Sequence, residues 1–132
     1  LNFMGDKTFG RIDYMLVGAG SAARRSSFTD LDTKTWRRIH ALNVDSVFLH
    51  LTICITPMKQ NGCAVIVNIA SMAHRLGCTR QLVHYALAKG AVVPLSMAVA
   101  REFVNREIRT LSVSAGAIYT TFQSISSPRF KK

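Results

Sequence analysis

Three short strand-like runs alternate with two long helical patterns, and this alternation constrains the fold more than any other feature of the sequence. The runs are 12–17, 64–69 and 108–113, and the helical patterns extend over about 36–55 and 84–106. Helical crossovers of this length connect parallel neighbouring strands with right-handed topology. The sequence therefore predicts an α/β fold, namely part of a doubly wound parallel sheet with three αβα layers.

The apolar pattern within each segment refines this expectation. The middle run, AVIVNI, is nearly continuous, which is typical of a strand covered on both faces. In the second helical pattern one stripe carries Val92, Leu95, Val99 and Phe103. We expect Pro57 and the following Asn61-Gly62 to end the first helix, and Pro94 to kink the second.

Length and composition fit one globular domain over residues 1–132, with a polar, basic tail at 124–132 that we expect to be frayed. The chain has three cysteines, and two of them, Cys54 and Cys63, lie in apolar runs. We expect these two to be small core residues in a reducing compartment, the cytoplasm. No Cys-x-x-Cys pair is present, so no structural zinc site is expected.

The net charge of +10 and the pI of about 10.3 raise the question of an acidic partner. The basic residues are scattered, however, and form no pattern of a nucleic-acid-binding motif: Arg24-Arg25, Arg37-Arg38, Arg106 with Arg109, and Lys131-Lys132. We therefore interpret them as solvated surface and expect no nucleic-acid partner.

No membrane partner is expected either. The longest apolar stretch, 47–58, is shorter than the ~18 uninterrupted residues of a membrane span. It also contains His50, two threonines and Pro57. The N-terminus has no basic region followed by a cleavage site, so a signal peptide is not indicated.

Small and polar residues follow each predicted strand, where ligands gather in parallel α/β sheets. These residues are Gly18-Ala19-Gly20, Ser71 and Ala115-Gly116. The stretch Gly18–Ala23 matches the G-x-G-x-x-A dinucleotide pattern. A helix should open there at once and an acidic residue should follow about twenty positions later. Neither is indicated, so a tight turn is the favoured interpretation. A serine at a strand end is most often a cap or turn residue.

Three further residues have side chains suited to a site. Asn43 lies on the apolar stripe of the first helix, where a buried amide requires partners, either as a satisfied core residue or at a kink. Tyr85 and Lys89 are four residues apart on one helix face, and an ammonium near a phenol favours its anion and so acid/base chemistry. An exposed Tyr–Lys pair is the alternative. The histidines show no metal-ligand spacing, and we assign them no role and expect no metal.

Five segments, in this order, resemble the short-chain dehydrogenase/reductase family over about residues 9–122. Phe9–Asp13 leading into Ala19-Gly20 resembles its "FGxID…NNAG" strand and turn, and Trp36…Asn43-Val44 resembles its helix with a buried Asn. Ile66–Ser71 resembles the strand that ends in the substrate Ser. Tyr85–Ala91 is similar to the Y-x-x-x-K helix. Ile108-Arg109 through Gly116–Thr120 is similar to "IRVNxxxPGxIxT".

The resemblance implies a Rossmann-type domain that binds NAD or NADP and interconverts an alcohol and a ketone or aldehyde. Tyr85 would exchange the proton, Lys89 would hold the nicotinamide ribose, Ser71 would polarise the carbonyl and Asn43 would hold a water. A second group would line the cofactor pocket: Ala19, Gly20, Gly116 and Ile118. The resemblance also implies a small-molecule substrate and a homo-oligomer formed through the two long helices.

The sequence departs from the family pattern in four places, one of which is that the substrate-lid segment expected after Thr120 is short. The first βαβ portion, with its Gly-rich phosphate loop, does not precede the strand at 12–17. Val17–Gly20 replaces "NNAG", and Ala115 stands where the family has Pro. The resemblance is therefore to the C-terminal catalytic portion, and two interpretations stay open: an oxidoreductase, or a non-catalytic remnant that acts only in association.

Overall fold

The computed structural model describes residues 8–77 and 81–118. Within them the strands are β1 (Tyr14–Val17), β2 (Ala64–Ser71) and β3 (Ile108–Ala115). The helices are α1 (Thr33–His40), α2 (Ser46–Asn61), α3 (Ala73–Leu76) and α4 (Val83–Glu102). A π-helical turn, Ala41–Asp45, joins α1 to α2, and a 3-10 turn, Val104–Arg106, precedes β3.

The three strands form one parallel sheet in the order β1-β2-β3. Val17 pairs with Asn68, and Ser71 pairs with Ala115. The predicted alternation of strands and helices is confirmed, and so is the α/β class. Because all three strands run in one direction, their carboxyl ends meet at the same edge of the sheet.

One face of this sheet is packed and the other is open. Alternate residues of β2, beginning at Ala64, are buried, and those between them are only half-buried. The core cluster joins the buried face to α2 and α4 through residues such as Ile66, Leu51 and Val92. Among residues 8–77 and 81–118, no sheet residue on the opposite face is buried. The expectation that both faces of β2 are covered is therefore wrong for the described residues. The open face of β2 nevertheless carries apolar side chains, Val65, Val67 and Ile69.

Both long helices continue through their prolines. α2 contains Pro57 and ends at Asn61, and α4 contains Pro94 and ends at Glu102. The expectation that Pro57 helps to end the first helix is wrong. Each proline removes one backbone donor, but the packing of neighbouring residues on the sheet stabilises the helix across that position. The second helix also ends four residues earlier than the sequence pattern indicated.

The two described cysteines have different environments. Cys54 is fully buried in α2, as expected, and burial raises the pKa of its thiol. Cys63 is exposed in the turn before β2 and has φ = 54°. Its prediction as a core residue is wrong because the turn after Gly62 places it before the buried part of the strand. Cys78 and the tail at 124–132 lie outside the described residues.

Two helical stretches, Thr33–Asn61 and Val83–Glu102, have the length and mean hydropathy of a membrane span. Our expectation counted only uninterrupted apolar residues and did not anticipate this. Both stretches pack against the sheet and carry buried polar side chains, among them Asn43 and Lys89. A core helix meets the same criteria of length and composition, so these two criteria alone do not indicate a membrane protein.

Candidate active site

The candidate site lies at the edge where the three strands end. β1 leads into Gly18, β2 ends at Ser71, and β3 leads into Gly116. The amide of Met72 donates to the carbonyl of Ala115 at 2.9 Å, which holds the ends of β2 and β3 together. The parallel register thus brings the predicted strand-end residues to one edge.

Asn43 lies in the π-helical turn between α1 and α2 and is fully buried. Its Nδ2 donates to the carbonyls of Ile39 and Ser21, both at 2.9 Å. Its Oδ1 accepts from the amide of Ser21 at 3.2 Å. The Asn43 amide therefore pairs with both backbone groups of Ser21. Both sequence interpretations apply, since Asn43 is satisfied and lies where the helix widens, and such π-turns are frequent at functional sites.

Lys89 is 97% buried in α4. Its ammonium donates to the carbonyl of Ile69 at 2.8 Å and to that of Ala19 at 3.5 Å. Burial lowers the pKa of Lys89 below its usual value because the charged form loses hydration. Within 8–77 and 81–118, no carboxylate forms an ion pair with Lys89. The ammonium is a buried donor held by two backbone carbonyls.

Gly20 is the point at which Asn43 and Lys89 converge. A Cβ atom on Gly20 would lie 2.6 Å from Asn43 Oδ1 and 2.7 Å from Lys89 Nζ. Both distances are shorter than non-bonded contact allows, so the turn approaches these side chains closely only with glycine at this position. Residues far apart in sequence therefore meet around one turn, Ala19–Ala22.

Tyr85 lies in the first turn of α4 and is 8% exposed. It belongs to a small buried cluster with Ala22, Leu82 and the partly buried Ala73. The alternative of an exposed Tyr–Lys pair is therefore wrong, because both Tyr85 and Lys89 are buried on the face of α4 that meets the turn. Tyr85 shares a buried cluster with Ala22 at the end of the turn, and Lys89 donates to the carbonyl of Ala19 at its beginning.

Ser71, Gly116 and Ile118 are less enclosed. Ser71 is half-buried, and its Oγ accepts from the amide of Ala73, two residues later, at 3.2 Å, as in a serine turn. Gly116 is exposed, with open space where a Cβ would lie, and Ile118 is 62% exposed. These three residues lie on or after the ends of β2 and β3 and border the edge without forming its buried centre.

The stretch Gly18–Ala23 forms a turn, as favoured by the sequence. No helix opens there, and α1 begins only at Thr33 with Asp32 as its cap. Ser21 Oγ accepts from the amide of Ala23, which has φ = 51°. Without a helix N-terminus, this turn lacks the amide donors and dipole that bind a pyrophosphate. It contacts the candidate catalytic side chains instead.

The sequence interpretation missed one residue at the site, His84. This side chain is fully buried next to Tyr85, and its Nε2 lies 3.1 Å from the carbonyl of Ala22. In the sequence, only the adjacency of His84 to Tyr85 could have pointed to the site, since the spacing of the histidines indicates no metal or catalytic motif. Over residues 8–77 and 81–118, no group of three His, Cys, Asp or Glu side chains is placed to hold a metal ion.

Comparison with known proteins decides the family. The family model described as enoyl-(acyl carrier protein) reductase matches residues 5–131, almost the whole chain. The chain belongs to the short-chain dehydrogenase/reductase family. The resemblance read from five sequence segments is thereby confirmed, and with it membership in a family of oxidoreductases with the Rossmann-type fold.

Two curated relatives show the range within the family. Galactitol 2-dehydrogenase (L-tagatose-forming) from Cereibacter sphaeroides is 32% identical over 80% of this chain and 42% of its own length. Inactive 2-(S)-hydroxypropyl-CoM dehydrogenase 2 from Xanthobacter autotrophicus is also 32% identical, over 88% of this chain and 50% of its own. The chain thus spans half or less of the length of these relatives.

A solved structure confirms the fold. The 3-ketoacyl-(acyl-carrier-protein) reductase from Brucella melitensis, complexed with NADH, superposes with a TM-score of 0.86 at 26% identity. The match covers 93% of this chain and 52% of that chain. The short-chain dehydrogenase/reductase fold therefore accounts for nearly all of this chain, and this chain accounts for about half of the fold.

Proposed function

We propose that the chain carries the catalytic portion of an NAD(P)-dependent oxidoreductase that interconverts an alcohol and a ketone or aldehyde. The observation that carries the proposal is the convergence of Asn43 and Lys89 on Gly20, with Tyr85 one helical turn before Lys89. Galactitol 2-dehydrogenase, a relative named for such a reaction, and the NADH complex of the Brucella reductase support the reaction class and the cofactor class.

The residues at the site fit the nicotinamide half of NAD or NADP. Gly20 leaves the turn without a side chain, and Gly116 has open space at its Cβ position. The Lys89 ammonium has three donors, and two carbonyls accept from it among the described residues. We propose that the remaining donor binds a ribose hydroxyl, with Ala19, Gly20, Gly116 and Ile118 bordering the nicotinamide.

When bound, the nicotinamide supplies or accepts the hydride. Tyr85 exchanges the proton at the substrate oxygen, because its phenol can donate to a ketone and its anion can accept from an alcohol. Ser71 donates a hydrogen bond to the same oxygen and stabilises the negative charge that develops there. The Lys89 ammonium favours the anion of a phenol close to it.

The resemblance implies that Asn43 holds a water, and its hydrogen bonds limit how it could do so. Both of its amide hydrogens are donated to backbone carbonyls, so Asn43 Nδ2 has no donor left for a water. Only Oδ1, which already accepts from Ser21, retains a lone pair. We propose that Asn43 chiefly positions the turn and that any water it holds binds through Oδ1.

The wider biological setting is also proposed. The site uses a small alcohol or carbonyl substrate and forms within one domain, and the protein works in the cytoplasm. We propose a homo-oligomer formed through α2 and α4, which present large apolar side chains to solvent: Phe48, Leu49, Leu87 and Met97.

The second candidate function is a non-catalytic protein that acts only in association. It is favoured by one observation, the 32% identity with a relative named inactive. The two candidates differ in turnover and not in fold, so an activity measurement separates them.

The test uses a fusion in which this chain follows the N-terminal portion of galactitol 2-dehydrogenase, which supplies the phosphate-binding segment that the resemblance implies. We expect the fusion to reduce NAD or NADP with at least one alcohol from a panel of secondary alcohols and polyols. Circular dichroism and cofactor titration serve as controls. A folded fusion that binds cofactor but turns over no alcohol would favour the non-catalytic candidate.

A further inference from the structure

Among residues 8–77 and 81–118, His84 joins Lys89 and Asn43 in holding the turn Ala19–Ala22 against the helices. Lys89 binds the carbonyl of Ala19, and Asn43 pairs with both backbone groups of Ser21. The third is His84, whose Nε2 lies 3.1 Å from the carbonyl of Ala22 across 62 residues of sequence. Neither the family motifs nor the comparisons assign a role to His84.

The surroundings of the two ring nitrogens of His84 favour a hydrogen on Nε2. A carbonyl oxygen only accepts, so the contact with Ala22 is a hydrogen bond only when Nε2 carries a proton. Nδ1 is buried and has no hydrogen-bond partner among the described residues. A proton on Nδ1 would be a buried donor without an acceptor, which costs free energy. The structure therefore favours the Nε2–H tautomer with a bare Nδ1.

The position of His84 gives this bond a consequence for the site. His84 is the second residue of α4, and the residue before the helix, Leu82, makes no side-chain cap. The loop that follows the turn is also fixed to this end, since the amide of Ser26 donates to the carbonyl of Gln81 at 2.9 Å. The His84 bond thus ties the first turn of α4, which contains Tyr85, to the turn beneath Lys89.

We propose that His84 is a positioning residue that sets the distance between Tyr85 and the cofactor-side turn through its Nε2–H bond to Ala22. It acts through the backbone carbonyl and does not itself touch substrate or cofactor. Its catalytic consequence rests on the proposed function, but the bond and its effect on the turn do not.

The first test measures the tautomer directly in the full 132-residue chain. Long-range ¹H–¹⁵N spectra of histidine distinguish the two tautomers, and the His84 signals are assigned by their loss in His84→Gln. We expect the Nε2–H form with a single set of shifts. An Nδ1–H form, or the averaged shifts of an exposed imidazole, would overturn the proposal.

The second test uses two amide variants. The side-chain nitrogen of Gln reaches about as far as Nε2, whereas that of Asn reaches only as far as Nδ1. We therefore expect His84→Asn to raise amide exchange at Ser21 and Ala23 by about tenfold relative to the parent, and His84→Gln to leave it within about threefold. The amide of Val65, which donates to the backbone carbonyl of Asp13 at the start of the sheet, is the internal control.

Equal effects of Gln and Asn on the turn, or an effect that extends equally to Val65, would show a purely packing role and overturn the proposal. If His84→Asn does not fold, the tautomer of the parent still decides. Neither test requires cofactor or turnover. The positioning role can thus fail while the oxidoreductase proposal stands, and the reverse also holds.

Discussion

Gly20 is the residue on which the candidate site depends most directly. Its missing side chain allows Asn43 Oδ1 and Lys89 Nζ to approach the same point of the turn. The carbonyls of Ser21 and Ala19 in this turn accept hydrogen bonds from Asn43 and Lys89, respectively. Two buried polar groups, one of them charged, are therefore stable here because backbone atoms come close enough to accept from them.

Gly20→Ala tests this close approach. The added Cβ would overlap Asn43 and Lys89, so we expect a loss of about 1–3 kcal/mol in the free energy of unfolding. The fusion protein should also bind cofactor more weakly. Gly18→Ala is the matched control, because the nearest atom to its Cβ, on Ile69, is 3.9 Å away. Equal urea midpoints for the two variants would contradict the packing described.

Lys89→Met tests the buried charge through pH. Burial lowers the pKa of Lys89 in the folded chain below its unfolded value. Between these two pKa values the unfolded chain binds more protons, so the stability contributed by Lys89 rises with pH. We expect the parent to gain stability relative to Lys89→Met from neutral to alkaline pH. The gain is about 1.4 kcal/mol for each pH unit that separates the folded and unfolded pKa values.

Urea unfolding of both proteins across that pH range measures the effect, and the contributions of other groups cancel in the difference. A difference that does not change with pH would mean that Lys89 is as hydrated in the folded chain as in the unfolded one.

At the scale of elements, a buried polar contact joins α4 to the centre of the sheet. Asn68 of β2 and Ser96 of α4 are both buried, and Asn68 Nδ2 donates to Ser96 Oγ at 2.9 Å. Ser96 Oγ donates in turn to the carbonyl of Val92. This contact fixes the register of α4 on β2, and hence the height of Lys89 relative to the carbonyl of Ile69.

Ser96→Ala should therefore destabilise the chain by about 1–3 kcal/mol, because the Asn68 amide loses its acceptor in a buried site. The matched control is Ser46→Ala in α2. Ser46 also donates to the carbonyl four residues earlier, but its bond is exposed. We expect the control to change stability by less than about 0.5 kcal/mol. Similar losses in the two variants, measured by urea unfolding, would contradict the role of Asn68.

The elements were largely predictable from sequence because the signals are local. The nearly continuous apolar run 64–69 predicted β2, and the predicted stripe on α4 is confirmed at Val92 and Val99. The π-turn at Asn43 and the passage of α2 through Pro57 were not predictable, since long-range packing decides both. At the site, the family motifs picked out Asn43, Tyr85 and Lys89, which are all buried in the structure.

His84 and the close approach at Gly20 could not be found from sequence, because each depends on contacts across more than twenty residues. The hydrophobic periodicity that predicts a helix or strand carries no information on which loop packs against it. The catalytic and cofactor-binding roles themselves stay predictions, supported by the family and by the geometry of the turn.

The described sheet has one covered face and one open face. The open face carries apolar side chains from all three strands, including Tyr14, Leu16 and Leu111. Such a surface favours association, and within the described ranges β1 has a hydrogen-bonded neighbour on one side only. The 132-residue chain should also bind NAD(H) and NADP(H) no more tightly than about millimolar in a cofactor titration, since no helix opens at the turn 18–23 to bind a pyrophosphate.

We expect the 132-residue chain to self-associate through the open sheet face. Leu16→Lys, on that face, should lower the sedimentation coefficient, because a charge there opposes burial. Leu76→Lys is the matched control, since Leu76 is equally exposed, at 70%, but lies on α3. A monomeric parent, or equal effects of the two variants, would show that the open face does not drive association.

The proposed role of Tyr85, proton exchange in alcohol–carbonyl interconversion, is tested by the kcat of Tyr85→Phe in the fusion protein. Tyr14→Phe, on the open sheet face, removes the same atom from an exposed tyrosine and is the control. We expect Tyr85→Phe to lower kcat by at least about 100-fold, with cofactor affinity changed by less than about threefold and Tyr14→Phe at the parental rate. A Tyr85→Phe protein with near-parental kcat would contradict the assignment.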